Sequence, residues 1–156
     1  MKFQTIAIGL AAALVAAPAL SATLIDATKP QLVLEIAKGY GSAELGKDAA
    51  GDPKITGRID GTAYTIFFYG CVESKDCDDI QFSAVWDGGG RFSLDEMNEW
   101  NKTKRYGKAY LDDDRDPVIE MTVNVDHGVS KSNLDDSFNW WKIALKAFKK
   151  EVLKED

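Results

Sequence analysis

Apolar positions along this chain recur at two spacings, a helical four-and-three and a strand-like two, and the changes between them divide it into eight elements. Leu32, Val33, Ile36, Ala37 and Tyr40 form one wide face, which predicts a helix over Pro30–Tyr40. Asp26 or Thr28 can cap it, Pro30 suits its first turn, and Gly39 or Gly41 stops it. The polar stretch from Ser42 to Lys54 holds a turn at Asp52-Pro53 and room for a short edge strand at Ala43–Gly46. Ile55–Ile59 reads as a strand, and Asp60-Gly61 turns the chain into a second at Ala63–Gly70. In that second strand Tyr64, Ile66 and Phe68 point one way and Phe67 and Tyr69 the other. It is apolar on both sides, as a central strand is. Its successor, Ile80–Trp86, alternates and so is half exposed.

After the break at Gly88-Gly89-Gly90, Ser93 and Glu96 form a capping box that opens a helix over Leu94–Lys104, with Leu94, Met97 and Trp100 inside. Gly107 marks its end. A hairpin follows: a strand over Lys108–Asp112, an acidic turn, and a strand from Pro117 or Val118 whose Ile119, Met121, Val123 and Val125 point inward. Glu120, Thr122 and Asn124 point outward. The last helix carries one continuous stripe, Leu134, Phe138, Trp141, Leu145, Phe148 and Val152. Ser132 or Asn133 can cap it, and Asp135 and Asp136 suit the positive end of its dipole. Trp140, Ile143 and Ala144 widen the stripe, the mark of a helix that is deeply buried or meets a partner. The order α-β-β-β-α-β-β-α predicts a two-layer α+β fold, an antiparallel sheet of about five strands with three helices.

Ahead of these elements, Lys2 precedes an apolar run from Ile6 to Ala17, then Pro18 and small residues. That order is a secretory signal peptide, expected over 1–22 with cleavage after Ser21 or Ala22, and the run is shorter than the ~20 residues of a membrane span. The predicted organisation is a signal peptide, 1–22, and a single domain, 23–156, with no integral membrane segment in the mature chain. The whole chain has 19 basic and 25 acidic side chains, a net −6. Loss of Lys2 leaves 18 against 25, or −7. Such a balance excludes phosphate-backbone partners and disfavours anionic lipid.

Export makes Cys71 and Cys77, the only two cysteines, a disulfide that closes the loop between the second and third predicted strands. A bridge around so short a loop stabilises by about 2 kcal/mol and mainly fixes the hairpin tip. The five residues between them are not the C-x-x-C spacing of redox catalysis. His127 is the only histidine and sits beside Gly128, a turn pair, so an acyl-transfer triad is not expected. Asp95–Glu96 and Asp78–Asp79 are neighbours that point apart, unlike the facing carboxylates of glycoside hydrolysis. The run Asp112, Asp113, Asp114 and Asp116 offers oxygen ligands for Ca²⁺, with Asp112, Asp114 and Asp116 the candidates, but it lacks the glycine and distal glutamate of a calcium loop. An acidic hairpin turn is the better account of it. No cofactor is expected.

The segments DGTAYTIFFYGC and CDDIQFSAVW, followed by MNEWNKTKRYGKAYLDDDRDPVIEM, resemble the YbjN family of bacterial sensory transduction regulators. The most recognisable part is Trp100-Asn101 with Arg105-Tyr106-Gly107. The resemblance covers Gln31 to Phe148. It implies a fold similar to type III secretion chaperones, no enzymatic activity and no catalytic residues. The signal peptide departs from a cytoplasmic regulatory role.

The function expected on these grounds is a non-enzymatic, exported, chaperone-like binding protein that holds a protein partner or a second copy on its sheet. Phe67 and Tyr69 are the expected contact residues, with Trp141 a third. The alternative is a calcium-binding envelope protein that uses the turn from Asp112 to Asp116.

Overall fold

The alternating segments resolve into six strands of one sheet. The computed structural model describes residues 23–155, and the expected signal peptide lies outside them. The strands are β1 (Ala43–Lys47), β2 (Pro53–Ile59), β3 (Thr62–Tyr69), β4 (Asp79–Val85), β5 (Lys108–Leu111) and β6 (Pro117–Asn124). They lie in the order β1-β2-β3-β4-β6-β5, each pair antiparallel. The sixth strand is β1: the short edge strand that the polar stretch had room for forms over Ala43–Lys47. β3 pairs with neighbours on both sides, as its two apolar faces predict. Asp60 and Gly61 join β2 to β3 with φ of 48° and 82°, the two left-handed residues of a tight hairpin turn.

Three helices, α1 (Pro30–Tyr40), α2 (Leu94–Thr103) and α3 (Lys131–Phe148), share a single core with one face of the sheet. α3 runs on into a π-helical turn over Lys149–Leu153. Its stripe is buried as the spacing predicts, Leu134, Phe138, Trp141, Leu145, Phe148 and Val152 all belonging to the core. Phe82 of β4 is the hub. Its ring meets Phe138 edge-on at 4.8 Å, lies 5.5 Å from Trp141 and 6.4 Å from Tyr64. A second cluster joins Phe148 to Trp86 at 5.4 Å and to Trp100 at 5.1 Å. Aromatic pairs in such geometries add about 0.5–1.5 kcal/mol each beyond the area they bury.

The helix starts differ from expectation in two places. Ser130, not Ser132 or Asn133, caps α3 by accepting the Asn133 N–H at 3.1 Å. The earlier start moves Asp135 and Asp136 beyond the first turn. The residue before α1 is Lys29, which makes no side-chain cap. Asp26 turns back on its own loop instead, where its Oδ1 accepts from the Thr28 N–H at 3.1 Å and from its hydroxyl at 2.5 Å. The Thr28 bonds, helped by the charge of Lys29, hold the Asp26 carboxyl below the usual range. α2 is capped as expected, by the reciprocal box of Ser93 and Glu96.

Candidate functional site

All three helices take the inner face of the sheet, so among the described residues the other face is left open, and strand register dictates what it displays. Phe67 stands opposite Lys54 on β2 and Gln81 on β4, and Gln81 stands opposite Thr122 on β6. The next row is Thr56, Thr65, Ser83, Glu120 and Lys108. Polar groups therefore surround two aromatic rings. Phe67 and Tyr69 lie two residues apart on β3 with ring centroids 6.3 Å apart, and Tyr69 is 48% exposed. Beside Phe67 a shallow groove of about 440 Å³ crosses β1 to β4, bordered by Glu44 and Arg58 at one end and Val85 at the other. Thr65 and Ser83 supply hydroxyls to it.

Toward β5 the face is organised by Glu120. Its carboxylate accepts the Tyr110 hydroxyl at 2.8 Å and pairs with the Lys108 ammonium at 3.1 Å. The Gln81 amide stands 3.4 Å from Glu120 and donates to Thr122 at 3.1 Å. Burial, together with the bond to Glu120, pushes the Tyr110 phenol up to about 12. Burial also raises the Tyr69 phenol, with the charges of Glu120 and Asp48 adding to it. Both rings stay neutral hydrogen-bond donors at ordinary pH. Sequence reading put Glu120 on this outward face but missed Tyr110 and its bond to Glu120, because only the register of β5 on β6 brings the two together.

The structure separates the expected site residues. Phe67 and Tyr69 share the open face. Trp141 does not reach a surface: it is fully buried against Phe82, and its place among the contact residues is corrected. The helical period accounts for the difference, since Trp141 belongs to the stripe of Phe138 and Leu145. Its neighbour Trp140 is the exposed one, at 37%.

The conspicuous Trp100–Gly107 segment splits between structure and surface. Trp100 is buried and its indole donates to the Gly107 carbonyl at 2.8 Å. The Asn101 amide grips the backbone of Ala109 from both sides, donating to its carbonyl at 2.8 Å and accepting its N–H at 2.7 Å. Gly107 has φ of 82°, and a Cβ there would lie 2.8 Å from Ile119 Cδ1, so only glycine fits. Arg105 and Tyr106 are exposed. Tyr106 stacks on Trp140 with centroids 4.4 Å apart.

Cys71 and Cys77 form the expected disulfide at the β3–β4 tip. In the acidic turn, Asp112 Oδ1 accepts the N–H groups of Asp114 and Asp116, at 3.0 and 2.8 Å, and Asp116 accepts that of Gly88 at 2.7 Å. These carboxylates cap a turn. Among the described residues no three His, Cys, Asp or Glu side chains converge as a metal site would need. His127 is a left-handed turn residue, 93% exposed on its side chain, beside Asp126. Among the described residues, no helix is long and apolar enough to cross a membrane.

No curated protein matches the chain. The family model that does match is YbjN, described as "Putative bacterial sensory transduction regulator", over residues 29–154. That span opens at the residue before α1, takes in every strand and ends at the turn after α3, and the chain belongs to the YbjN family.

Proposed function

We propose that this protein is an exported, non-enzymatic binding protein that holds an extended segment of a partner protein across its open sheet face. The observation that carries the reading is a six-stranded sheet whose outer face, among the described residues, has no helix over it and carries Phe67 and Tyr69 beside a groove of about 440 Å³. Paired aromatics set among hydroxyls and amides combine contact area with hydrogen-bonding choice, the composition of protein recognition surfaces. The regulator description of the family is consistent with action through protein contacts. Export is supported by the apolar leader expected at 1–22 and by the Cys71–Cys77 bridge, which suits an oxidising compartment.

A photo-activated cross-linker placed at Thr65, between the groove and the aromatic pair, tests this in intact cells. One dominant partner is expected, with capture reduced about tenfold by Phe67→Ala with Tyr69→Ala while the variant keeps its circular dichroism spectrum. Cross-links to a second copy alone would assign the face to a homodimer. Capture undiminished in the double variant would overturn the reading. N-terminal sequencing of the envelope form should begin at Ala22 or Thr23, and an intact Met1 there would remove export with cleavage.

A further inference from the structure

A second surface, on the helical layer, shares no residue with the groove on the sheet. Between the segment after α2 and the side of α3 runs a groove of about 370 Å³. Tyr106 and Trp140 form one wall, stacked at 4.4 Å yet 40% and 37% exposed, and Ile143 stands beside them at 47%. Ala144 and Ala147 lie in the groove between Trp100 and these larger side chains. Three large apolar side chains left open together on a folded domain mark an interaction site more than chance does.

The charge around the groove narrows the occupant. Its charged lining residues are Lys104 and Arg105, with no acid among them. The chain as a whole is acidic, at −6. Lys104 is paired with Glu151 at 2.6 Å and Lys102 with Glu99 at 3.7 Å, which leaves Arg105, among the described residues, as the unpaired cation lining the groove. Among the described residues Arg105 makes no ion pair and no side-chain hydrogen bond. A two-fold contact between copies would set these cationic rims against each other. A flat bilayer surface does not fill a concave site.

We propose that this groove docks an acidic segment of a partner protein, whose bulky aliphatic side chain enters between Trp140 and Ile143 while a flanking carboxylate meets Arg105. Charge-assisted pairing of Arg105 with a carboxylate is stronger than a neutral hydrogen bond and directional. The aliphatic anchor supplies the desolvated centre, and the cationic rim selects against basic sequences.

The test uses the mature protein and a fluorescein-labelled, end-blocked peptide of sequence Glu-Asp-Leu-Leu-Asp-Glu, read by anisotropy. Saturable binding is expected, weakening as salt rises. Affinity should fall about tenfold in Trp140→Ala and in Arg105→Glu, both exposed positions that leave the core intact. Peptides with both Leu replaced by Ser, or all acids by Lys, should bind about tenfold more weakly. No saturable binding, equal binding of the lysine peptide, or unchanged affinity in both variants would overturn the proposal. So would Trp140-dependent binding to vesicles of phosphatidylglycerol and phosphatidylcholine without peptide binding, or a dimer that Trp140→Ala dissociates, since each assigns the groove another occupant.

Discussion

Tyr64 shows how much one atom contributes to this core. Its ring is inner-face packing, 4% exposed, but its hydroxyl has no hydrogen-bond partner, and burial pushes the phenol up to about 12. An unpaired buried hydroxyl costs about 1–3 kcal/mol. Tyr64→Phe should therefore leave stability at neutral pH unchanged or raise it by about 1 kcal/mol, measured by urea unfolding. The pH dependence has a definite sign. A folded-state pKa above the free phenol value of about 10 stabilises below pH 10, and that contribution is lost as pH rises towards 12. The parent should lose stability across that window more steeply than Tyr64→Phe, and equal slopes would show that the hydroxyl ionises freely. Residue-scale parity was legible in the sequence: alternation alone assigned Phe67 and Tyr69 to the face opposite Tyr64 and Phe68. Trp141 was misjudged as a contact because adjacent tryptophans compete for one stripe. The spacing from Phe138 to Leu145 puts Trp141 in the core and leaves Trp140 to meet Tyr106, a partner far away in sequence.

At the scale of elements, the joint between α2 and β5 is made by side chains rather than by strand pairing. Trp100 and Asn101, adjacent on α2, bond the backbones of Gly107 and Ala109, so the helix is fixed to the strand it precedes. Asn101→Ala removes both bonds and leaves the Ala109 N–H without its side-chain acceptor. The expected loss is about 2 kcal/mol by urea unfolding, with faster amide exchange at Ala109. A loss below about 0.5 kcal/mol would mean that water replaces the amide. Helix and strand limits were largely legible, α1 over its full length among them, because periodicity and punctuation by Pro and Gly agree. The caps were less so. Ser130, Ser132 and Asn133 are all competent cap residues, and the choice depends on where packing against the sheet starts the helix.

For the whole molecule, the two grooves share no lining residue, one on the outer sheet face and one beside α3, although Arg105 and Tyr106 of the second also border Gln81, Glu120 and Thr122 at the far end of the sheet. Sites without shared partners behave additively. Phe67→Ala with Tyr69→Ala should leave the affinity of the acidic peptide within about twofold, and Trp140→Ala should leave the sheet-face cross-links unchanged. Coupling larger than that, seen by titrating each variant, would make the two surfaces one. The two-layer architecture was legible from element order. The division of the surface was not, because strand order β4-β6-β5 and the stacking of Tyr106 on Trp140 are set only when the chain closes.

The clasp at Ala109 also bears on how copies of this sheet could join. Stacking sheets side by side into a fibre requires two free margins per molecule, one to give and one to receive. Here β1 and β5 are the two edge strands, and the outward N–H and C=O of Ala109 on β5 are already taken by Asn101 of α2. β1 is therefore the margin on which a second copy adds strand to strand most readily, whereas on β5 the clasp takes the bonds that a newcomer would need at Ala109. The fold thus favours a closed pair over a chain of sheets, although it keeps an open sheet.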